Sequence, residues 1–99
     1  MPSVLVIDDD TAVQRIFSRI FEGTDVRVLT AGNAAAGVDR VVQCHPDAVI
    51  LDIMLPDADG LDTFQRIQAR DSKVPVIFIT AGGTSDTVPV SQTSSPRTS

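Results

Sequence analysis

VLVIDDD, residues 4–10, sets four aliphatic residues directly against three aspartates. An unbroken β-branched and leucine run reads as a strand covered on both faces, the pattern of a parallel sheet. Working outward, Asp10 can cap a helix whose inward positions are Val13, Ile16, Phe17, Ile20 and Phe21, spaced i, i+3, i+4, i+7, i+8. Gly23 ends that helix. Residues 26–29 form a second, more polar strand, expected at a sheet edge. Asn33 caps a second helix with Ala34, Val38, Val41 and Val42 on one face, stopping before Pro46. Residues 48–51 are a third apolar strand. A loop then leads to a third helix with Leu61, Phe64 and Ile67 inward, and residues 74–79 make a fourth strand. Strands alternating with helices predict an α/β fold, a parallel sheet with helices on its faces.

The 99 residues are one domain's worth of chain. Eight Lys and Arg against 13 Asp and Glu leave a net charge of −5. With no basic run to neutralise phosphates, the chain is not expected to bind nucleic acid directly or an anionic membrane. The lone Cys44 excludes an internal disulfide and suits a reducing cytoplasm. Cys44 reads as a buried small hydrophobe and His45 as a solvated or core-edge residue, since no second His or Cys stands at metal-site spacing. No apolar run approaches the ~20 residues of a membrane span. Composition divides the chain into a domain over residues 1–86 and a Ser/Thr/Pro-rich mobile tail over 87–99.

In parallel α/β sheets, ligands bind beyond the carboxyl ends of the strands. Asp8 and Asp9 close the first strand, Asp52 the third and Thr80 the fourth. Each follows directly on an apolar run, so all four should emerge at one rim. Like charges ~4 Å apart repel by about 4 kcal/mol at an effective dielectric near 20. An all-oxygen cluster of this kind suits Mg2+, and a carboxylate beside Mg2+ can attack a phosphoryl group. Thr80 could donate a hydrogen bond to that group. Asp10, Asp25, Asp47, Asp57 and Asp59 are assigned instead to caps and turns. Gly82 and Gly83, without a P-loop lysine, let a loop turn.

VLVIDDD, AVILDIMLPDADG (48–60) and PVIFITA (75–81), in that order and spacing, resemble the receiver domain of bacterial two-component response regulators over about residues 2–86. The resemblance implies a flavodoxin-like, doubly wound parallel sheet. The family order is 2-1-3-4-5; here the expectation is 2-1-3-4, lacking the fifth strand and fifth helix. It also implies phosphorelay signal transduction, with Asp52 accepting a phosphoryl group from the histidine of a sensor histidine kinase. Asp8 and Asp9 resemble the acidic pair that holds Mg2+, Asp9 directly and Asp8 largely through water. The backbone carbonyl of Met54 resembles the third protein ligand, and Thr80 the switch hydroxyl. Pro56 and Gly60 match the loop that presents the phosphoacceptor.

The family's lysine at the end of its fifth strand has no counterpart before Ser99, and Lys73 is expected at the opposite rim. This C-terminally truncated or altered pattern predicts that Mg2+ binding persists while phosphorylation is impaired, by ~1.5–3 kcal/mol for one charge-assisted contact. An uncovered fourth strand predicts a homodimer or larger assembly through that edge. Two other readings stand beside this one. VIDDDTAV also fits a haloacid-dehalogenase-type phosphohydrolase with Asp8 as nucleophile and Asp10 as acid/base. A non-signalling remnant or interaction module would keep the fold without the activity.

Overall fold

The computed structural model describes residues 1–79, within which strands and helices alternate: β1 (Ser3–Ile7), α1 (Thr11–Ile20), β2 (Arg27–Ala31), α2 (Ala34–Cys44), β3 (Ala48–Asp52), α3 (Gly60–Arg70) and β4 (Val76–Ile79). All strand pairs are parallel and the sheet order is β2-β1-β3-β4. This is the expected flavodoxin-like order, with the more polar β2 at one edge. Thr80 and the segment 87–99 lie outside the described residues.

The pleat divides the strands between two layers. Leu5, Ile7, Val49, Leu51 and Val76 face α2 and α3, packing with Val38, Val41 and Ile67. Val4, Val6 and Ile50 face the other way, against Phe17 and Phe21 at the α1 end of the chain. Leu5, Val6 and Ile7 are fully buried, as a central strand covered on both faces requires. Gly37 lets α2 lie close on the sheet, because a Cβ there would meet Ile7 Cδ1 at 2.5 Å.

Several apolar residues expected inside are outside. Ile16 and Ile20 are 55% and 58% exposed. Helix α1 lies over β1 and β2, and among the described residues it alone covers that face, so its flanking positions stay open. Leu61 is 63% exposed because the inward stripe of α3 is Gly60, Thr63 and Ile67, one step around the helix. Thr63 is buried without loss, since its hydroxyl donates to the Asp59 carbonyl at 2.8 Å. On α2, Val42 is exposed and Gly37 takes the buried position. Cys44 is exposed rather than buried, on the last turn of α2. His45, also exposed, ends that helix in the left-handed region (φ 48°), its N–H donating to the Val41 carbonyl at 3.0 Å. Strand β4 begins at Val76 because Pro75, immediately before it, has no N–H to donate to a ladder.

Candidate metal centre

Register brings the acidic residues together. Ile7 of β1 is paired with Leu51 of β3. The next residue on each strand is an aspartate, so Asp8 and Asp52 stand side by side across neighbouring strands, roughly 4.8 Å apart in the ladder direction. Both turn to the α1 side of the sheet by the period-two alternation. Asp9, on the loop leaving β1, completes the group: one oxygen from each of the three carboxylates lies within 4.8 Å of the others. Asp8 is fully buried, Asp52 is nearly so and Asp9 is exposed.

The surroundings hold these groups in place. The Asp8 N–H donates to the Ala31 carbonyl at 3.0 Å, extending the β1–β2 ladder by one step. Gln14, on α1, donates its side-chain amide to the Asp8 carbonyl at 2.7 Å and reaches the Ala31 carbonyl at 3.4 Å. Asp8 Oδ1 accepts from the Asp10 N–H at 2.9 Å, whereas Asp8 Oδ2 is buried with no hydrogen-bond partner. Asp52 Oδ1 accepts from the Met54 N–H at 3.2 Å.

Burial pushes the Asp8 carboxyl above its ordinary value of 3.8, and the charges of Asp52 and Asp9 push it further, against the opposing Asp10 N–H. Burial likewise raises Asp52, with the Asp9 charge adding to it and the Met54 N–H opposing. A carboxylate with a buried oxygen that lacks a donor, grouped with two further carboxylates, fits a hard divalent cation. The donor set is all oxygen, which suits Mg2+ over thiolate- or imidazole-seeking metals.

The structure thus gathers Asp8, Asp9 and Asp52, as the sequence predicts. Met54 lies on the adjoining loop, bridged to Asp59. Asp10 stands apart as the N-cap of α1, its carboxylate accepting from the Ala12 N–H at 2.8 Å. Asp59 caps α3 through the Asp62 N–H, and Asp47 accepts from the Ser3 N–H. Lys73 precedes β4 at its amino end, the rim opposite Asp52.

Three contributors escape sequence reasoning. Gln14 looks like any solvent-facing helix residue. Gly60 is read only as a motif position, yet a Cβ there would meet the Ile53 Cα at 2.8 Å, and its N–H donates to the Ile53 carbonyl at 2.6 Å. Asp57 is read as a local cap or turn former, but it bonds to the start of α2, 23 residues earlier. Only the Asp-Gly step before the helix could have flagged Gly60.

A doubly wound parallel sheet with carboxylates converging at the carboxyl rim defines a class of small α/β domains that bind their ligand at that rim. The family model of the response regulator receiver domain matches residues 4–92, and the chain belongs to that family. It is 41% identical over 81 residues to the transcriptional regulatory protein TrcR of Mycobacterium tuberculosis, covering 79% of this chain and 30% of that one. It is 38% identical over 85 residues to the DNA-binding dual master transcriptional regulator RpaA of Synechocystis, covering 84% and 35%. The chain therefore spans about a third of the length of these curated relatives. Among solved structures, the non-phosphorylated HemR receiver domain of Leptospira biflexa aligns with a TM-score of 0.74 and 26% identity, covering 86% of this chain and 68% of that one. A CheY-like receiver domain protein of Methanospirillum hungatei shares the fold, with a TM-score of 0.78 and 24% identity over 85% and 67%. Membership of the receiver family sets the phosphohydrolase reading aside. Among the described residues, no helix is long and apolar enough to cross a membrane.

Proposed function

We propose that this chain is the phosphoacceptor of a cytoplasmic phosphorelay, with Asp52 as the residue modified. An Asp52 carboxylate oxygen attacks the phosphorus of a phosphohistidine on a sensor histidine kinase. The P–N bond breaks, the imidazole leaves with the bonding pair, and an acyl phosphate forms on Asp52. Asp8, Asp9, Asp52 and the Met54 carbonyl would hold Mg2+, which when bound neutralises charge on the carboxylates and on the phosphoryl oxygens. Asp8 holds its place through the Asp10 N–H and the Gln14 amide; Asp52 is oriented by the Met54 N–H. Thr80 would donate its hydroxyl to the phosphoryl group. The chain is then a signalling domain that is modified, not a turnover catalyst.

The observation that carries this reading is the convergence of three carboxylates, one of which, Asp8, has a buried oxygen with no hydrogen-bond partner. Incubation with acetyl phosphate and Mg2+ is expected to give a hydroxylamine-labile adduct, absent in Asp52→Asn and in excess EDTA. An adduct that persists in Asp52→Asn overturns the assignment.

A second feature supports self-association as a further part of the reading. Among the described residues, β4 has β3 as its one strand neighbour, and Ile77 on it is 44% exposed. An apolar strand edge of this kind offers its N–H and C=O groups to another strand, here that of a second copy.

A further inference from the structure

We infer that Asp57 is a positioning residue for the metal centre: by clasping the amino end of α2 it holds the 53–59 loop beside Asp52, and so sets how tightly Mg2+ binds. The inference rests on the metal reading above and extends it to a residue outside the carboxylate group.

A helix begins with four N–H groups that have no partner within it. In α2 those of Ala34, Ala35 and Ala36 are satisfied from two sources. Asn33 supplies the local part: its side-chain oxygen accepts from the Ala36 N–H at 2.8 Å, while its carbonyl takes the first bond of the helix proper, from the Gly37 N–H at 3.0 Å. Asp57 supplies the rest, Oδ1 accepting from the Ala34 N–H at 2.8 Å and Oδ2 from the Ala35 N–H at 3.1 Å. Both of its oxygens are engaged although the residue is exposed, and the Ala34 N–H holds its carboxyl below the ordinary value. A helix needing only a cap takes it from its own preceding residue. A carboxylate reaching across from another loop ties the two segments together.

The fixed end of this tie is the amino end of α2, which begins at the rim where the strands end. Ala34 is buried, and Gly37, on the next turn, lies so close to the sheet that a Cβ there would meet Ile7, the residue before Asp8. The other end is the loop that carries Met54. At its base the loop is anchored by the Ile53 N–H to the Ile79 carbonyl (3.1 Å) and the Gly60 N–H to the Ile53 carbonyl (2.6 Å). Leu55 packs against the core, and its N–H donates to the Ala58 carbonyl at 3.3 Å, a bond internal to the loop. Met54 itself is 78% exposed, so burial does not position it. Among the described residues, the hydrogen bonds joining the tip of this loop to another element are those of Asp57. Without them the Met54 backbone is left to its own N–H bond to Asp52 Oδ1 (3.2 Å) and its bridge to Asp59 inside the loop, and a metal ligand less firmly ordered binds more weakly.

The test compares Asp57→Ala, Asp57→Asn and Asn33→Ala in the full chain, titrating MgCl2 against backbone amide shifts and following amide exchange without metal. Asp57→Ala is expected to weaken Mg2+ roughly 10-fold, the lower end of the range for groups that orient metal ligands. Exchange at Met54, Leu55 and Gly60 should quicken together with that at Ala34 and Ala35. Asp57→Asn retains an acceptor oxygen and should recover most of the affinity. Asn33→Ala removes the local cap of α2 and leaves the tie, so Mg2+ affinity should stay near wild type. If Asp57→Ala does not fold, Asp57→Ser, too short to reach α2, takes its place. Wild-type affinity in Asp57→Ala overturns the inference and leaves the metal reading intact. So does an equal loss in Asn33→Ala, which would assign the effect to the stability of α2. A wild-type chain that fails to respond to MgCl2 overturns the metal reading itself.

Discussion

Asp8 has one oxygen satisfied by the Asp10 N–H and one buried with no partner, with Asp52 and Asp9 close by. Its carboxyl, like that of Asp52, titrates above its ordinary value, chiefly through burial. A carboxyl raised on folding contributes stability that is present below its unfolded value of 3.8 and lost as pH rises through the folded value. Asp8→Asn removes this loss, and its amide can donate toward Asp52. We therefore expect Asp8→Asn to stabilise the metal-free chain at pH ~7 by about 1–3 kcal/mol, the range for leaving a buried polar atom unpaired. The difference should shrink as pH falls through the acidic range, read by thermal unfolding in EDTA. Saturating Mg2+ should reverse the order, since a ligand at about a thousandfold its Kd stabilises by about 4.1 kcal/mol and the variant binds it poorly. Asp57 has the opposite sign. Its lowered carboxyl contributes above 3.8 and ceases to as pH falls through its folded value. The acidic trio was legible in the sequence because Asp8 and Asp52 each follow directly on an apolar run and Asp9 is the next residue after Asp8. Asp57 was not, because its role depends on which loop meets which helix.

At the scale of elements, α3 shows both the strength and the limit of reading periodicity. The helix is where the sequence places it, and Ile67 is fully buried as expected. Its inward stripe, however, runs through Gly60 and Thr63, residue types that carry no hydrophobic signal. Leu61, which does carry one, points outward. Ile67→Ala should cost ~2–5 kcal/mol in chemical denaturation, and Leu61→Ala no more than about 0.5 kcal/mol. A comparable loss for the two would invalidate the observed orientation of α3. Gly60→Ala is a sharper case. Alanine raises helix propensity by ~1 kcal/mol, but its Cβ would press on the backbone of Ile53, which cannot turn aside as a side chain can. Overpacking of this kind costs ~1–3 kcal/mol, so the clash wins and the variant is expected to be less stable. The loop beside Asp52 has to shift as well, so Mg2+ should bind more weakly in that variant.

For the molecule as a whole, alternation predicted a parallel sheet and the polarity of β2 an edge position, while the full strand order was what the resemblance to receiver domains implied. β1 and β3 are interior and polar β2 is at an edge, but the wholly apolar β4 has β3 as its one strand neighbour among the described residues, so hydrophobicity alone does not rank the strands. The burial of α1 did not follow, because its five-residue apolar stripe presumes a layer broader than the described residues supply. Ile16, Ile20 and Ile77 consequently remain open to solvent. Charged residues are the usual means of blunting such an edge. Light scattering at ~100 μM, within the range where exposed apolar edges associate, is expected to show the wild-type chain as a dimer or larger and Ile77→Lys as a monomer. A monomeric wild type at that concentration would count against association through β4.

Because every strand is parallel and each helix returns the chain to the opposite end, α1, α2 and α3 all begin at the rim where the strands end. Their backbone dipoles are therefore aligned, each directing a partial positive charge of about +0.5 toward that end of the sheet. Asp10, Asn33 with Asp57, and Asp59 stand at those three starts. The rim that concentrates carboxylates thus also receives a converging field of the opposite sign, supplied by the backbone. An incoming dianion meets less repulsion there than the carboxylates of that rim alone would give.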